Sequence, residues 1–412
     1  FFYVFEKTDR LRSFYQMDKM KVVIIAQRYG IVPPIYGGAV ETLLFSLIKY
    51  NEKYGKLRMT IIESHDDQAV ELSRTLKNTK FVFIKESVFG KALYRIFRKV
   101  KDCTWMSGKF FSEYMYRAFQ YVKKNIPDVD LIIIEEDFQT QGYEKFKKYF
   151  PGKVVYHSHL HEVPRKNIYH DFVISVSEFC RNEWLKFFSE KNTFVLRNAI
   201  NIELFKRRIS QQERVRIREK YGISPQDFVV LFCGRIIPVK GLRELIKAVL
   251  TIEDNKVKLL CVGSSGFAQA DKNSYLREIQ NLVVCHQERI VFTGYIENND
   301  LYKYYQVADV QVVPSLWEEA AGFVTIGGMC SGLPLIVTKS GGMVEYIDEQ
   351  CAMIVDRKEI VKNLTRAICM AQSDSIWRAK ASEVGLKRAE HFSEERYFES
   401  FISIVRTITS RG

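Results

Sequence analysis

The feature that most constrains this sequence is a regular alternation of short apolar runs with amphipathic stretches. The first run is followed by a Pro/Gly loop and then by apolar residues at helical spacing. Such alternation is typical of parallel βαβ units, in which helices cover the faces of the sheet. The strand-sized runs before residue 200 are Lys21–Ala26, Arg58–Ile62, Lys80–Ile84, Leu131–Ile134, Lys153–His157 and Phe172–Val176.

The pattern restarts after residue 200, with strand-sized runs at Phe228–Cys233, Val257–Val262, Ile290–Phe292, Val310–Val313 and Pro334–Val337. This predicts two doubly wound, Rossmann-like α/β domains, joined near Ile200–Phe205. Parallel sheets bind ligands outside the carboxyl ends of their strands, so two facing sheets would share one cleft. The predicted divisions are an extension (1–19), a first domain (20–201), a second domain (202–390) and a C-terminal helix (391–412).

The charge balance predicts anionic partners. The chain of 412 residues carries 62 Lys and Arg against 49 Asp and Glu, a net charge of +13. Residues 1–200 hold 33 of these basic residues and 23 of the acidic ones, so the excess lies mainly in the first half. Phosphorylated ligands, an anionic membrane or nucleic acid would fit this charge. Nucleic acid is the weakest of these, because no recognition motif accompanies the charge.

Two absences narrow the class of protein further. No apolar run reaches the roughly 18 residues that a transmembrane helix needs. The eight cysteines form no CxxC pair, which argues against a zinc knuckle or a redox motif. Several cysteines, such as Cys233 and Cys261, lie inside apolar strand-like runs and are interpreted as buried apolar residues, so we expect a cytoplasmic protein in a reducing compartment.

One stretch in the first half suggests contact with a membrane. Lys91–Lys101 places apolar residues on one helical face and basic residues on the rest. That pattern suits a helix lying on an anionic membrane surface, such as the inner face of the plasma membrane. A surface helix packed on its own sheet fits the same pattern equally well.

Two loops after predicted strands carry residues suited to a phosphorylated sugar. Cys233–Gly241 brings Arg235 and Lys240 to the start of a helix, where free N–H groups and the dipole favour an anion. Val313–Val324 brings two carboxylates ahead of a glycine and a helix. The plainer interpretations are a solvated basic loop for the first, and capping of the helix by Glu318 and Glu319 for the second.

A series of short motifs runs in a fixed order through nearly the whole chain after residue 20. They are Tyr36–Glu41, Ser175–Glu178, Val195–Asn201, Gly234-Arg235, Lys240-Gly241, Gly263, Phe292–Tyr295, Ala308–Val310, Pro314-Ser315, Trp317–Glu319, Gly322 and Ser331–Pro334. In this order and spacing the chain resembles the family-4 retaining glycosyltransferases. The resemblance implies the GT-B fold, with an acceptor-side first domain and a second domain that binds a nucleotide sugar.

The resemblance also assigns roles to individual residues. Arg235 and Lys240 would neutralise the departing diphosphate, and Glu319 would bind hydroxyls of the donor sugar. Transfer in this family retains the anomeric configuration and needs no metal, so no metal or other cofactor is expected, with a UDP-sugar favoured as donor. The residues expected to hold the donor are Gly37, Gly38, Gly234, Tyr295, Gly322, Phe323 and Val324.

The sequence departs from the family at one position. A second glutamate, eight residues after Glu319, would normally bind the ribose, but Gly327 stands there, followed by Gly328. A lost charged hydrogen bond to a ligand costs roughly 1.5–3 kcal/mol. The alternative to an active enzyme is therefore a weak or inactive relative that binds nucleotide sugar or supports a partner enzyme. Another reaction on the same fold, such as nucleotide-sugar epimerisation, is a third interpretation.

Histidines and acidic residues end two strands of the first domain. The resemblance places a donor-sugar contact at His159, or at His161 after a shift of the loop. We expect His157, His159 and His161 to converge poorly on a metal, because we place them on alternating faces of a strand. His161, Glu135 and Glu136 are the candidates for holding the acceptor; the two glutamates could also supply a base or form a solvated acidic loop. Asp128-Val129-Asp130 is interpreted as a turn rather than a metal motif.

The sequence as a whole predicts a retaining, metal-independent glycosyltransferase. It would move a sugar from a nucleotide diphosphate sugar to a glycan or lipid-linked acceptor. By analogy with the family, the expected setting is the biosynthesis of bacterial surface polysaccharide, such as lipopolysaccharide, capsule or cell-wall glycan.

Overall fold

Two separate parallel sheets form the framework of the protein. A computed structural model describes residues 19–28, 30–35, 37–97, 112–135, 143–161, 169–264 and 274–411. Each sheet has the doubly wound order in which the first strand lies inside the sheet and the order reverses beside it. The prediction of two Rossmann-like α/β domains is confirmed.

The first sheet has seven strands in the order β3-β2-β1-β4-β5-β6-β7, and every pair is parallel. Its central strands are runs of β-branched residues buried on both faces, as expected for a parallel sheet covered by helices. The strands are β1 (Lys21–Ile25), β2 (Arg58–Ser64), β3 (Thr79–Ile84), β4 (Leu131–Glu135), β5 (Lys153–Ser158), β6 (Phe172–Ser175) and β7 (Thr193–Val195).

The second sheet has six parallel strands in the order β10-β9-β8-β11-β12-β13. The strands are β8 (Phe228–Cys233), β9 (Val257–Val262), β10 (Ile290–Gly294), β11 (Val310–Val313), β12 (Leu335–Thr338) and β13 (Ala352–Val355). The sequence did not predict β7 or β13. Both are edge strands of three or four residues with partly exposed positions, so neither leaves a long apolar run.

Helices cover both sheets. Those up to residue 206 are α1 (Ala39–Tyr54), α2 (Asp67–Ser73), α3 (Val88–Phe97), α4 (Glu113–Asn125), α5 (Glu144–Tyr149), α6 (Glu178–Trp184) and α7 (Ile202–Lys206). The later ones are α8 (Gln211–Lys220), α9 (Leu242–Thr251), α10 (Ser274–Val283), α11 (Leu301–Val307), α12 (Phe323–Ser331), α13 (Ile360–Ser373), α14 (Ser375–Ala389) and α15 (Glu394–Thr409). No helix in the described ranges is long and apolar enough to span a membrane.

The last helix, α15, returns to the first domain. Its apolar face, including Phe401 and Val405, belongs to the same buried core as Ile24 of β1 and Leu47 of α1. The sequence predicts this helix but does not place it, because its apolar stripe fits any complementary surface. The chain therefore crosses between the domains twice, and the crossings are joined by a hydrogen bond from Ile200 N–H to Phe392 O (3.0 Å).

The Asp128-Val129-Asp130 sequence lies at the opposite edge of the first sheet from the loops that matter for binding. Asp130 accepts a hydrogen bond from the N–H of Lys21 (2.7 Å), and Asp128 pairs with the ammonium of the same lysine. Both carboxylates thus tie together the amino ends of β1 and β4. Ligands of parallel sheets bind at the carboxyl ends, so this placement agrees with a turn rather than a metal site.

Candidate functional site

The loops that follow the strands of the second sheet pack closely against one another at Gly241 and Gly263. Gly234, after β8, donates its N–H to the carbonyl of Val262 at the end of β9 (3.0 Å). A Cβ on Gly263 would lie 2.0 Å from the carbonyl oxygen of Gly234, and one on Gly241 would lie 1.9 Å from that of Pro314. Both glycines also have positive φ angles, so larger residues are excluded there twice over.

Lys240 and Glu319 meet where these loops converge. The ammonium of Lys240 donates to a carboxylate oxygen of Glu319 at 2.6 Å, and it lies 5.5 Å from the centre of the Trp317 ring. The hydroxyl of Ser315 donates to the same carboxylate oxygen. The side chain of Glu319 is only 11% exposed, so its ion pair with Lys240 is partly shielded from water. The structure thus brings together two predicted site residues, each satisfied by the other.

Arg235 has no such counterion. Its side chain is exposed, and it makes no ion pair or side-chain hydrogen bond with any residue in the described part of the chain. It follows Gly234 in the loop that leads to Lys240. The loop therefore presents one compensated and one uncompensated cation at the carboxyl edge of the sheet.

Helix α12 begins directly after these residues, with Gly322 at its N-terminal boundary. The amides of Phe323 and Val324 lie in its first turn, where N–H groups have no acceptor within the helix. No side chain caps this end. Glu318 instead binds Arg357 and the N–H of Gly341 (2.6 Å), so the capping interpretation is wrong.

The environment of Glu318 keeps it ionised. Partial burial works to raise the pKa of this carboxyl, but the Arg357 guanidinium and the Gly341 amide hold the pKa below its usual value. Its carboxylate is thereby committed to organising the loop. Of the two adjacent glutamates, only Glu319 faces Lys240.

In the first domain, the glycine loop leads into α1. Gly37 and Gly38 have φ angles of 78° and 125°, which favour glycine over other residues. A Cβ on Gly38 would lie 1.9 Å from a carboxylate oxygen of Glu41, so that side chain folds back over the loop. Burial raises the pKa of Glu41, while the nearby charge of His159 works in the opposite direction. The glycine loop and the predicted donor-sugar histidine therefore lie in one neighbourhood.

Glu135, at the end of β4, lies between two histidines of the neighbouring strand. His159 Nε2 is 2.7 Å from one carboxylate oxygen, and His157 Nδ1 is 3.2 Å from the other. The two imidazole rings are 4.2 Å apart. The expectation that these histidines diverge is wrong, because residues two apart on a strand share a face.

This arrangement changes the interpretation of Glu135. Complete burial works to raise the pKa of its carboxyl, but the charges and hydrogen bonds of His157 and His159 hold the pKa at about 2. The carboxylate is thus ionised and satisfied by two imidazoles, which leaves it poorly placed to receive an acceptor hydroxyl. Glu136, another predicted acceptor residue, lies outside the described residues.

The same three side chains form the one group in the described ranges that could hold a metal ion. One ligand atom from each of Glu135, His157 and His159 lies within 4.8 Å of the others. A carboxylate and two imidazoles are ligands that zinc and similar divalent ions accept. The hydrogen bonds from both rings to the carboxylate satisfy the group equally well, so the expected absence of a metal stays a prediction.

His161 links the two domains. Its ring lies 6.0 Å from that of Phe179 in α6 and 6.1 Å from that of Trp317, which also contacts Lys240. His161 Nδ1 and Trp317 Nε1 are both buried without a hydrogen-bond partner among the described residues. The histidine segment of the first domain thus reaches the Lys240 loop of the second.

The domains are also joined at the N-terminus of α6, a feature that the sequence did not reveal. The two carboxylate oxygens of Glu345 accept the N–H groups of Glu178 (2.8 Å) and Phe179 (2.7 Å). The hydroxyl of Tyr346 donates to Val176 O (2.6 Å) and accepts from the N–H of Asn198 (2.9 Å). The sequence around Glu345 and Tyr346 carries no recognisable motif. Only the folded structure shows that both side chains form hydrogen bonds with the backbone of the first domain.

Gly327 is packed against other side chains. A Cβ at this position would lie 3.1 Å from the ring of Phe205 in α7 and 3.1 Å from the ring and hydroxyl of Tyr305 in α11. At Gly328 a Cβ would meet the side-chain oxygen of Gln311 at 1.9 Å. The space beside Gly327 is thus occupied by Phe205 and Tyr305, and the space beside Gly328 by Gln311. Close packing of these side chains explains why glycine suits both positions.

Two predicted features stand apart from this constellation. Tyr295 follows β10, two strands from β8, and the residue is 40% exposed. The backbone links it indirectly to the site, because Gly263 N–H donates to Gly294 O (3.1 Å). Of the predicted membrane stretch, helix α3 ends at Phe97, and residues 98–101 lie outside the described residues.

Comparison with known proteins agrees with this geometry. Residues 213–388 match the family described as glycosyl transferases group 1. An uncharacterised glycosyltransferase of Methanocaldococcus jannaschii is 32% identical over 185 residues, which cover 43% of this chain and 45% of that protein. Spore coat protein SA of Bacillus subtilis is 23% identical over 93% of this chain and 99% of its own. A lipopolysaccharide 1,2-N-acetylglucosaminetransferase of Salmonella typhimurium is also 23% identical, over 92% and 97%.

Solved structures show the same fold over nearly the whole chain. A glycosyltransferase from Rickettsia africae superposes with a TM-score of 0.76 at 17% identity, covering 96% of this chain and all of that one. Anabaena HepE in complex with UDP superposes with a TM-score of 0.73 at 18% identity, covering 94% and 100%. The predicted GT-B fold is confirmed, and so is the resemblance to the family-4 glycosyltransferases, because the second domain matches the group 1 glycosyltransferases and nearly the whole chain shares the fold of solved glycosyltransferases.

Proposed function

We propose that this protein is a retaining, metal-independent glycosyltransferase that moves a sugar from a nucleotide diphosphate sugar to a glycan or lipid-linked acceptor. The observation that carries the proposal is the Lys240–Glu319 pair, set beside the uncompensated charge of Arg235 and the start of α12. These groups lie at the carboxyl edge of a parallel sheet, where such sheets bind ligands.

The proposed role of these groups is to stabilise negative charge on the leaving diphosphate. As the bond between the sugar and the diphosphate breaks, negative charge grows on the leaving phosphate oxygen. Arg235, Lys240 and the first amides of α12 stabilise that charge without moving far, which is how preorganised dipoles and cations lower a barrier. Bound donor competes with Glu319 for the Lys240 ammonium, and the carboxylate in turn accepts hydrogen bonds from sugar hydroxyls.

Groups of the first domain complete the proposed site. The Gly37-Gly38 loop lets the backbone at the start of α1 approach the phosphates, because neither residue carries a side chain. His159, held by the buried carboxylate of Glu135, contacts the donor sugar. The acceptor oxygen then attacks the anomeric carbon on the face that the diphosphate leaves, and the departing phosphate oxygen takes its proton.

The donor and the pathway are proposed from the similar proteins. Anabaena HepE has been solved with UDP, which favours a UDP-sugar here. The Salmonella relative acts in lipopolysaccharide synthesis by its name, which favours a surface polysaccharide pathway. We keep peripheral contact with an anionic membrane through the Lys91–Lys101 stretch as part of this proposal.

A screen for nucleotide release tests the function. The protein is incubated with UDP-, GDP- and ADP-sugars, and Arg235→Ala and Lys240→Ala are each compared with the parent. Both variants should lose most of the activity. Lys247→Ala, exposed on α9 outside the site, is the matched control and should keep it. Equal release by both site variants and the parent would show that the site is wrongly assigned, and an inverted anomeric centre in the product would exclude retention.

The second candidate is a weak or inactive relative that binds nucleotide sugar. The packing of Phe205 and Tyr305 against Gly327 favours it, because that packing leaves no room for the ribose-binding carboxylate. Calorimetry with UDP separates the two candidates. Binding of UDP without turnover of any tested UDP-, GDP- or ADP-sugar supports the inactive relative, whereas turnover supports the enzyme.

A further inference from the structure

The two chain crossings between the domains enclose a polar pocket. It has a volume of about 250 Å³ and is formed by the segment after β7, the end of α14 and the first turns of α15. Three of its lining residues are arginines, Arg197, Arg388 and Arg396, and His391 lies beside them. The pocket shares no lining residue with the Arg235–Glu319 site.

The arginine charges in this pocket are largely uncompensated. Arg388 donates to the backbone carbonyls of Glu345 (2.8 Å) and Tyr346 (3.2 Å), which carry no net charge. Arg396 donates to the ring nitrogen Nδ1 of His391 (3.0 Å), which brings no negative charge. Arg197 alone approaches a carboxylate, that of Glu345, at 3.4 Å and with 41% of its side chain exposed.

Two acidic residues beside Ser393 in sequence, Glu394 and Glu395, are engaged elsewhere. Glu394, in the first turn of α15, binds Ser46 and Lys49 of α1. Glu395 binds Lys53 and Tyr54 on the same helix. None of the residues that line the pocket in the described part of the chain is acidic. The N-terminal turn of α15 therefore directs its carboxylates to α1 and leaves the pocket positive.

We propose that this pocket binds a small phosphate-bearing anion, either inorganic phosphate or a small phosphomonoester. Guanidinium groups match the oxygen spacing of a phosphate and form charge-assisted hydrogen bonds to it. The hydroxyls of Ser393 and Ser400 line the same space and can donate further bonds. The volume lies below that of pockets for drug-sized ligands, which suits a small anion.

The position of the pocket gives the anion a structural effect. Arg197 belongs to the first crossing, Arg388 and His391 to the end of the second domain, and Arg396 to the helix that returns to the first domain. A phosphate bound by these groups contacts both segments that connect the two domains. Its binding stabilises the folded chain and favours one arrangement of the domains.

The test is calorimetric titration of the full chain with inorganic phosphate, and separately with glucose 6-phosphate, at low ionic strength. The parent should bind at least one of them, and the tighter probe identifies the source of the phosphate. Arg396→Gln and Arg388→Gln should each weaken binding by ~10-fold or more. Arg388 also holds backbone carbonyls, so Arg396, which is exposed, is the variant expected to fold normally.

Two control variants make the result specific. Arg406→Gln removes an exposed arginine from the same helix, outside the pocket, and should leave binding unchanged. Arg235→Gln should retain the phosphate binding that Arg396→Gln loses, which separates this pocket from the proposed diphosphate site. The proposal is overturned if neither probe binds, if Arg396→Gln binds like the parent, or if Arg235→Gln alone abolishes binding.

Discussion

Restoring the family's second glutamate, as Gly327→Glu, is the sharpest perturbation that this structure allows. In a simple picture the variant regains a ribose contact and gains activity. The packing around α12 leads to the opposite expectation, because Phe205 and Tyr305 already occupy the neighbouring space. We expect Gly327→Glu to destabilise the protein and to give no gain in activity.

The magnitude follows from the geometry. A Cβ at 327 would lie 3.1 Å from its neighbours, whereas ordinary contacts begin at 3.4 Å, so those rings must move by about 0.3 Å. Overpacking of this kind costs about 1–3 kcal/mol, and replacing a helical glycine by alanine returns about 1 kcal/mol. Gly327→Ala should therefore cost about 0–2 kcal/mol of unfolding free energy. A glutamate adds a poorly solvated carboxylate, so we expect its total cost to be ~3 kcal/mol or more.

Urea unfolding with and without UDP is the appropriate assay, with Gly327→Ala as the control for the added Cβ. A third variant combines Gly327→Glu with Phe205→Leu, which trims the half-buried ring in α7. If packing is the obstacle, this variant should recover part of the lost stability and bind UDP more tightly than Gly327→Glu alone. Phe205→Leu alone measures the cost of trimming.

One result would refute this reasoning. If Gly327→Glu unfolds at the same urea concentration as the parent and releases more nucleotide, the position is open to the donor. The departure from the family would then be the loss of a ribose contact, and Phe205 and Tyr305 would have no part in it.

Three further predictions concern buried ionisable side chains of the first domain. Burial raises the pKa of Glu63 from 4.5 to about 8, so the folded chain keeps a proton that the unfolded chain loses. Stability should fall by up to about 5 kcal/mol between pH 4.5 and 8, and Glu63→Gln should remove this fall in urea unfolding. The pKa of Glu135 is depressed, so its stabilisation is present above pH 4.5 and is lost as pH falls toward 2; Glu135→Gln should flatten that acid limb. EDTA should not change nucleotide release, and a loss restored by zinc would assign a metal to Glu135, His157 and His159.

Local chemistry explains why much of the framework is predictable from sequence. Buried parallel strands such as Phe228–Cys233 and Val257–Val262 appear as apolar runs whose ends coincide with the observed strands. Loop glycines with positive φ follow them, and charged residues next to those glycines mark the edge that binds ligands. The predicted site residues Arg235, Lys240 and Glu319 lie two, seven and six residues after the ends of such strands.

Contacts between distant segments leave no such local mark. The pairing of Glu135 with His157 and His159 depends on β4 and β5 being neighbours, and it decides that this glutamate orients imidazoles. The bonds from Glu345 to the start of α6 join residues 166 and 167 positions apart. The sequence shows which residue types are present, but it does not show which distant residue each side chain binds.

The sequence by itself determined the two parallel sheets, the order of motifs along the strand ends and the resemblance to family-4 glycosyltransferases. These follow from periodicity and from local backbone requirements, which act over a few residues. The tertiary structure decided which charges remain uncompensated, what fills the space beside Gly327 and where α15 packs. Those outcomes depend on burial and distance between segments far apart in the chain, so only the folded protein sets them.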